Sequence, residues 1–237
     1  MTNFLQAKWR NIIMANYAVP VSVLQAYLPK GIEVDTYHGE AYVSLVGFLF
    51  KDTRLFKVPI PKLGTFEEVN LRFYVYRKEG NEIKRGVVFI NETVPYKAVA
   101  WLANKLYKEH YTAVKTRSYW EIDEHAKQIT YQWLVGRKWN SISVRAENKA
   151  LAMEKNSFEE FIFEHYYGYT KVDEHTTEEY KINHPRWYIN TVTNTEIDCD
   201  FEANYGDDFA FLNGVLPASV FIAEGSAIEV KWKRVKI

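Results

Sequence analysis

Cysteine is almost missing from this chain: Cys199 is the one thiol in 237 residues. A lone thiol closes no intrachain disulfide and builds no thiolate metal site, which excludes a disulfide-stapled scaffold and a cysteine-ligated zinc fold. Its neighbours Asp198 and Asp200 would raise its pKa, so it does not read as a nucleophile either. Breakers are scarce as well. Eleven glycines and seven prolines are about 8% of the residues against a usual share of roughly 12%. Charge of one sign is absent in the net, with 30 Lys+Arg against 30 Asp+Glu, so the footprint that a nucleic-acid binder or a polybasic membrane-surface protein needs is not there. No apolar run reaches the 18 or more residues of a membrane-spanning helix, and Met1 to Arg10 lacks a basic stretch followed by an apolar one. The expectation is a soluble, cytoplasmic protein with no membrane or nucleic-acid partner.

Several chemical motifs are also lacking. There is no H-E-x-x-H or comparable ligand spacing among His38, His110, His125, His165, His175 and His184, so no metal site is expected. Without a G-x-S-x-G elbow or a phosphate-cradling glycine loop, neither a serine hydrolase nor a nucleotide cofactor is expected, and the cofactor expectation is none.

What the chain does have is apolar and aromatic mass: 47% hydrophobic residues and 16% aromatic ones, enough for a sizeable core. Much of it alternates with period two. Glu40 to Phe50 is apolar on both faces, as a central strand would be. Val69 to Tyr76, Arg85 to Asn91, Thr112 to Glu121, Ile129 to Val135, Ser141 to Glu147 and Ala227 to Val235 read as further strands, the last with Ile228, Val230 and Trp232 alternating with Glu229, Lys231 and Lys233. Helices are short: Val21 to Leu28 between Pro20 and Pro29, Pro95 to Tyr107, and one starting at Ser157, where Ser157 and Glu160 form a capping box. Asp173 to Glu179 reads as a loop. With no repeat or linker, residues 1–237 read as one mainly β domain with minor α content. Strands in this number favour an antiparallel sandwich or barrel, whose interior can hold a ligand.

The segment richest in chemistry is Phe66 to Tyr74. On a strand, Glu68, Asn70, Arg72 and Tyr74 share one face, and Val69, Leu71 and Phe73 the other. A carboxylate, an amide, a guanidinium and a phenol in one row suit a small anionic or carbonyl ligand. Spacing alone favours the plainer reading, a solvated face with a Glu68–Arg72 ion pair. His184 in His184-Pro185-Arg186-Trp187-Tyr188 fits a structural turn or a catalytic imidazole. A Schiff-base lysine needs desolvation or a cationic neighbour; Lys97, Lys105, Lys108 and Lys115 have no adjacent lysine and read as surface charges.

Several pieces, in order and spacing, resemble the uncharacterised YqjF-like family, a branch of the acetoacetate decarboxylase-like superfamily: Asn16 to Pro20, Leu24, Tyr27 to Asp35, Gly39 to Ser44, Phe66 to Val75 and Arg85 to Phe89. The likeness covers roughly residues 9 to 120, with a looser match over Ser157 to Tyr188. It implies an antiparallel β-barrel or cone with a polar internal cavity and a few peripheral helices, and it turns the Glu68-Asn70-Arg72 row inward. The superfamily's decarboxylase works through a lysine Schiff base. The equivalent stretch here, Leu106 to Thr112, places Tyr111 at the lysine position and Thr112 at its cationic neighbour, while His110 replaces the proline of the branch's usual Leu-Pro-Tyr.

The resemblance thus implies Glu68 and Tyr111 as catalytic candidates, and Glu68, Asn70, Arg72, Tyr74, His110 and Tyr111 as the ligand-binding set. The expected function is binding of a small organic acid or carbonyl compound without a Schiff-base lysine; an enzyme on this plan would have a lyase-like activity on a small carboxylate or keto acid. Two alternatives stand beside it: a non-catalytic structural or interaction protein, and a decarboxylase that uses a displaced lysine such as Lys108 or Lys115. The partner expected is a small molecule, with a homo-oligomer compatible.

Overall fold

Alternating apolar residues carry most of this chain into strands, many longer than the sequence pattern marked. The computed structural model describes residues 3–61, 63–231 and 235–237. In chain order its strands are β1 Asn3–Val19, β2 Glu33–Val34, β3 Ala41–Leu55, β4 Val58–Pro59, β5 Phe66–Glu79, β6 Glu82–Val94, β7 Tyr111–Ala113 and β8 Thr116–Ile122. They continue as β9 Ala126–Val135, β10 Lys138–Ala152, β11 Tyr167–Lys171, β12 Thr177–Asn183, β13 Tyr188–Asp198, β14 Ser219–Ala223, β15 Ala227–Lys231 and β16 Val235–Lys236. The α-helices are α1 Val21–Leu24, α2 Lys97–Tyr107, α3 Phe158–Phe163 and α4 Phe201–Tyr205. The protein is mainly β with a few short helices, as its sequence led us to expect.

The differences lie at breaks. Thr112 to Glu121 is two strands, since β7 runs parallel to β6 while β8 turns away to pair antiparallel with β9. The first helix is one turn, followed by a 3-10 turn over Gln25–Tyr27. The expected loop at Asp173 to Glu179 is already strand from Thr177, where β12 pairs with β11. Trp232 and Lys233, assigned to the last alternating run, lie outside the described residues. The cap at Ser157 forms: its Oγ accepts from the Glu160 N–H at 3.2 Å, while Glu160 accepts from the Asn156 N–H at 2.5 Å rather than from Ser157 itself.

β1 organises the sheet. Its first half pairs with β15, its second half with β14, and nearly its whole length with β3. With the pairings β3–β5, β5–β6, β6–β11, β11–β12 and β12–β15 this gives a circuit of seven strands, narrowing to two-residue pairings at β6–β11 and β12–β15. The strands β13, β10, β9 and β8 continue the sheet from β14. They fold over one face of the β1-β3-β5 region, where Val69, Leu71 and Phe73 of β5 share a core with Ile129, Tyr131 and Trp133 of β9 and with Ile142 and Val144 of β10. The opposite face, inside the circuit, belongs to a second core built on Met14, Val46, Phe48, Phe66, Phe89 and Trp187. The first ten residues of β3, the middle of β5 and the second halves of β1 and β6 therefore have two buried faces, which explains their continuous apolar runs.

Candidate functional site

The even face of β5 points into the circuit. Glu68, Asn70 and Arg72 stand opposite Phe48, Val46 and Ser44 of β3. They line an internal cavity of about 90 Å³ together with residues of β1, β3, β6, β12 and β15. Glu68 is 3% and Asn70 1% exposed, so the solvated-face reading does not hold. No Glu68–Arg72 ion pair forms among the described residues. Instead Asn70 Nδ2 donates to Glu68 Oε1 at 3.0 Å, and Tyr111 Oη donates to Glu68 Oε2 at 3.3 Å. Arg72 reaches Met14 Sδ at 3.5 Å and lies over the Tyr74 ring, 5.8 Å from its centroid.

Two further glutamates complete the polar end. Glu92 is brought in by a β-bulge: Leu71 pairs with Asn91 but Arg72 pairs with Phe89, so Ile90 is an extra residue in β6. Before the bulge Val87 and Phe89 face the cavity side; after it, Glu92 and Val94 do. Glu109 enters from the segment leading to β7. Thr170 donates to its Oε1 at 2.6 Å and Tyr180 donates to the same oxygen at 3.0 Å. Tyr180 lies across from Gly168, where a Cβ would fall on the phenol ring; the glycine allows the close approach that brings this hydroxyl to Glu109.

Tyr111 is fixed through its backbone. Asn104 near the end of α2 accepts from the Tyr111 N–H at 2.7 Å and donates to its carbonyl at 2.9 Å. Lys108 takes a left-handed conformation as α2 ends, and the chain then runs extended beside β6, Tyr111 next to Glu92.

The other walls are aromatic and aliphatic. Trp9 packs edge-on to Phe48, Phe50 and Trp187, at centroid distances of 5.2, 6.0 and 6.2 Å. In such surroundings carboxylates hold their protons. Burial pushes the Glu68 carboxyl up to about 7, against the opposing pull of the Asn70 and Tyr111 hydrogen bonds and of the Arg72 charge. Burial, then the nearby Glu109 and Glu68, raises Glu92 well above the carboxylate range. Burial, then the nearby Glu68 and Glu92, raises the Tyr111 phenol. Near neutrality this end of the cavity therefore presents hydroxyl donors as well as acceptors. Several polar atoms here are buried with no hydrogen-bond partner: Asn70 Oδ1, Arg72 Nε and Glu92 Oε2.

Of the six residues expected to bind ligand, Glu68, Asn70, Arg72 and Tyr111 line the cavity and Tyr74 and His110 do not. The Tyr74 hydroxyl lies 2.5 Å from Ser44 Oγ, which donates to Asn16 Oδ1 at 2.5 Å. His110 is exposed, because neighbours along an extended chain face opposite ways and Glu109 and Tyr111 take the inner side. Lys97, Lys105, Lys108 and Lys115 are exposed; among the described lining residues Arg72 is the one cationic side chain. His184 stacks between Tyr166 and Trp187, at 4.6 and 4.2 Å, in the turn reading rather than the catalytic one. Sequence reasoning missed Glu92, Glu109 and the Trp9–Trp187 wall. A parity-switching bulge left no mark in the alternation of β6, whereas the S-x-x-E cap and the β5 row were visible.

The cavity and the strand circuit define the class of protein. The fold is that of the acetoacetate decarboxylase-like proteins. The chain superposes over 100% of its length on 88% of acetoacetate decarboxylase from Legionella pneumophila, with a TM-score of 0.64 and 11% identity. It also superposes over 100% of its length on 94% of an acetoacetate decarboxylase-like enzyme from Sphingomonas wittichii RW1, with a TM-score of 0.65 and 10% identity. The enduracididine biosynthesis enzyme MppR complexed with pyruvate matches at a TM-score of 0.64 and 10% identity, over 100% of this chain and 91% of that one.

Within that fold the chain belongs to the DUF2071 family, described as "Uncharacterized conserved protein (COG2071)", whose model matches residues 6–227. The uncharacterized protein YqjF of Bacillus subtilis (strain 168) is 35% identical over 88 residues, 37% of this chain and 35% of that protein. The chain thus matches about a third of the length of this curated relative. Among the described residues no helix is long and apolar enough to cross a membrane.

Proposed function

We propose that this protein binds a small carbonyl-containing organic acid in the internal cavity, with the ligand carboxylate on Arg72 and its carbonyl oxygen at Glu68 and Tyr111. The observation that carries the reading is Arg72 itself. Its Nε is buried without a partner, and it is the one cation among the described lining residues. A carboxylate would satisfy that donor and the charge together. Glu68 and Glu92, with raised pKa values, retain protons near neutrality and so repel an anion less than three ionised carboxylates would. The pyruvate complex of MppR, a protein of the same fold, is in keeping with a ligand of this class.

Chemically, Tyr111 and protonated Glu68 can donate to the carbonyl oxygen, and Glu68 after ionisation can take a proton from the carbon beside that carbonyl. No lysine is required for either step, which separates this reading from imine-based decarboxylation. The test is thermal unfolding with a panel of 2-oxo acids. Wild type should gain stability with at least one of them, and Arg72→Ala should lose that gain; an unchanged gain in Arg72→Ala would overturn the proposal. Borohydride reduction in the presence of the same acids should leave the protein mass unchanged, whereas a lysine adduct would restore the imine route.

A further inference from the structure

A second cavity of about 100 Å³ lies under α2. Its walls include Phe66 of β5 and Val99, Leu102, Ala103 and Leu106 of the helix. It shares Leu5, Phe50, Glu68 and Tyr111 with the cavity already described. Apart from Glu68 and Tyr111, Thr53 is its one polar side chain among the described residues. A group held between Glu68 and Tyr111 therefore borders both spaces, one polar and one apolar. Each space alone is smaller than the roughly 150 Å³ that accepts a benzene-sized guest. A three-carbon acid fills the polar space and leaves the other one empty, with its lining short of contacts.

Resting on the reading of the site given above, we infer that the ligand is a 2-oxo acid with an apolar tail of several carbons, and that the space beneath α2 holds the tail. The head lies against Arg72, Glu68 and Tyr111, and the tail passes between Leu5 and Phe50 towards Ala103 and Leu106. Ala103 sets the depth of this space, because its half-buried methyl is the smallest side chain on the helical wall. Specificity follows from burial: each methylene moved from water into the space should tighten binding about fourfold.

The experiment compares the dissociation constants of pyruvate and 2-oxohexanoate by calorimetry. Wild type should favour 2-oxohexanoate at least tenfold. Ala103→Leu should bring the ratio close to one with pyruvate affinity unchanged, and Leu106→Ala should keep or widen the preference if the filled variant folds poorly. Equal affinities in wild type, or an undiminished ratio in folded Ala103→Leu, would overturn the inference. Xenon under pressure, a smaller guest than benzene, serves as a probe with no carboxylate, read as a rise in melting temperature that Ala103→Leu removes. A xenon response with no binding of either acid would keep the space as a tail site and sink the carboxylate reading instead; no response to xenon and no preference for the longer acid would sink the tail site.

Discussion

Both faces of β5 are largely buried along its middle yet opposite in chemistry. Val69, Leu71, Phe73 and Val75 pack into the core shared with β9 and β10, where close apolar packing supplies stability. Glu68, Asn70 and Arg72 line a cavity in which Asn70 Oδ1 and Arg72 Nε have no hydrogen-bond partner. An unpaired buried polar atom costs about 1–3 kcal/mol, so the second face lowers the stability that the first one supplies. A formed cavity beside unpaired buried groups is what the proposed binding site requires before a ligand arrives. The structural-network alternative predicts instead that these groups satisfy one another, as Tyr74, Ser44 and Asn16 do.

Substitution on each face should break this symmetry of burial into opposite signs. The largest effect belongs to the apolar face: Phe73 is fully buried at 0% exposure, and Phe73→Ala should cost about 3–5 kcal/mol in denaturant unfolding. On the polar face Glu68→Gln should do the reverse. A carboxyl at about 7 in the folded state holds its proton more tightly than in the unfolded chain, so its contribution is fully present at low pH. It is lost as pH rises through about 7, a difference of roughly 3 kcal/mol. The glutamine variant should therefore gain melting temperature over wild type at pH 8, with the gain shrinking to little at pH 4. An equal difference at both pH values would show that Glu68 does not carry the proton assigned to it.

Arg72→Met sharpens the comparison further, because it removes a buried unpartnered donor and leaves an apolar stem of similar length. Stability should change by less than about 1 kcal/mol, while the response to 2-oxo acids disappears. Loss of the guanidinium charge, which lowers the Glu68 pKa, should also move the pH midpoint of the Glu68-dependent stability upward. A midpoint that stays in place would separate Arg72 electrostatically from Glu68.

How far the sequence reaches is visible in these same residues. The β5 row was legible because strict alternation over Phe66 to Tyr74 survives unbroken in the structure, and two-sided burial follows from the apolar runs beside it. Glu92 was not legible, because its inward position depends on one extra residue at Ile90, and a bulge is decided by pairing with β5 rather than by local composition. Around Tyr111 the resemblance located the segment but not its parity: His110 and Tyr111 were both assigned to the site, although one step along an extended chain reverses the side chain. Glu109 takes the inner place. Closure of the circuit through β1 was equally hidden, since no feature of Asn3–Val19 announces that one strand pairs with three.

The smallest effect is expected at the contact that joins the two cavities. Tyr111→Phe removes the hydroxyl that donates to Glu68 across a long 3.3 Å while leaving the ring and the two backbone bonds to Asn104. Stability should fall by no more than about 1 kcal/mol, and the Glu68 pKa, which that hydrogen bond pulls down, should rise. Ligand affinity separates the readings more sharply than stability does. A hydroxyl serving only the protein's own hydrogen bonds predicts 2-oxo acid binding as tight as in wild type. A hydroxyl donating to the ligand carbonyl predicts a loss of about tenfold, the equivalent of roughly 1.4 kcal/mol, with the preference for a longer tail intact because the apolar lining is untouched.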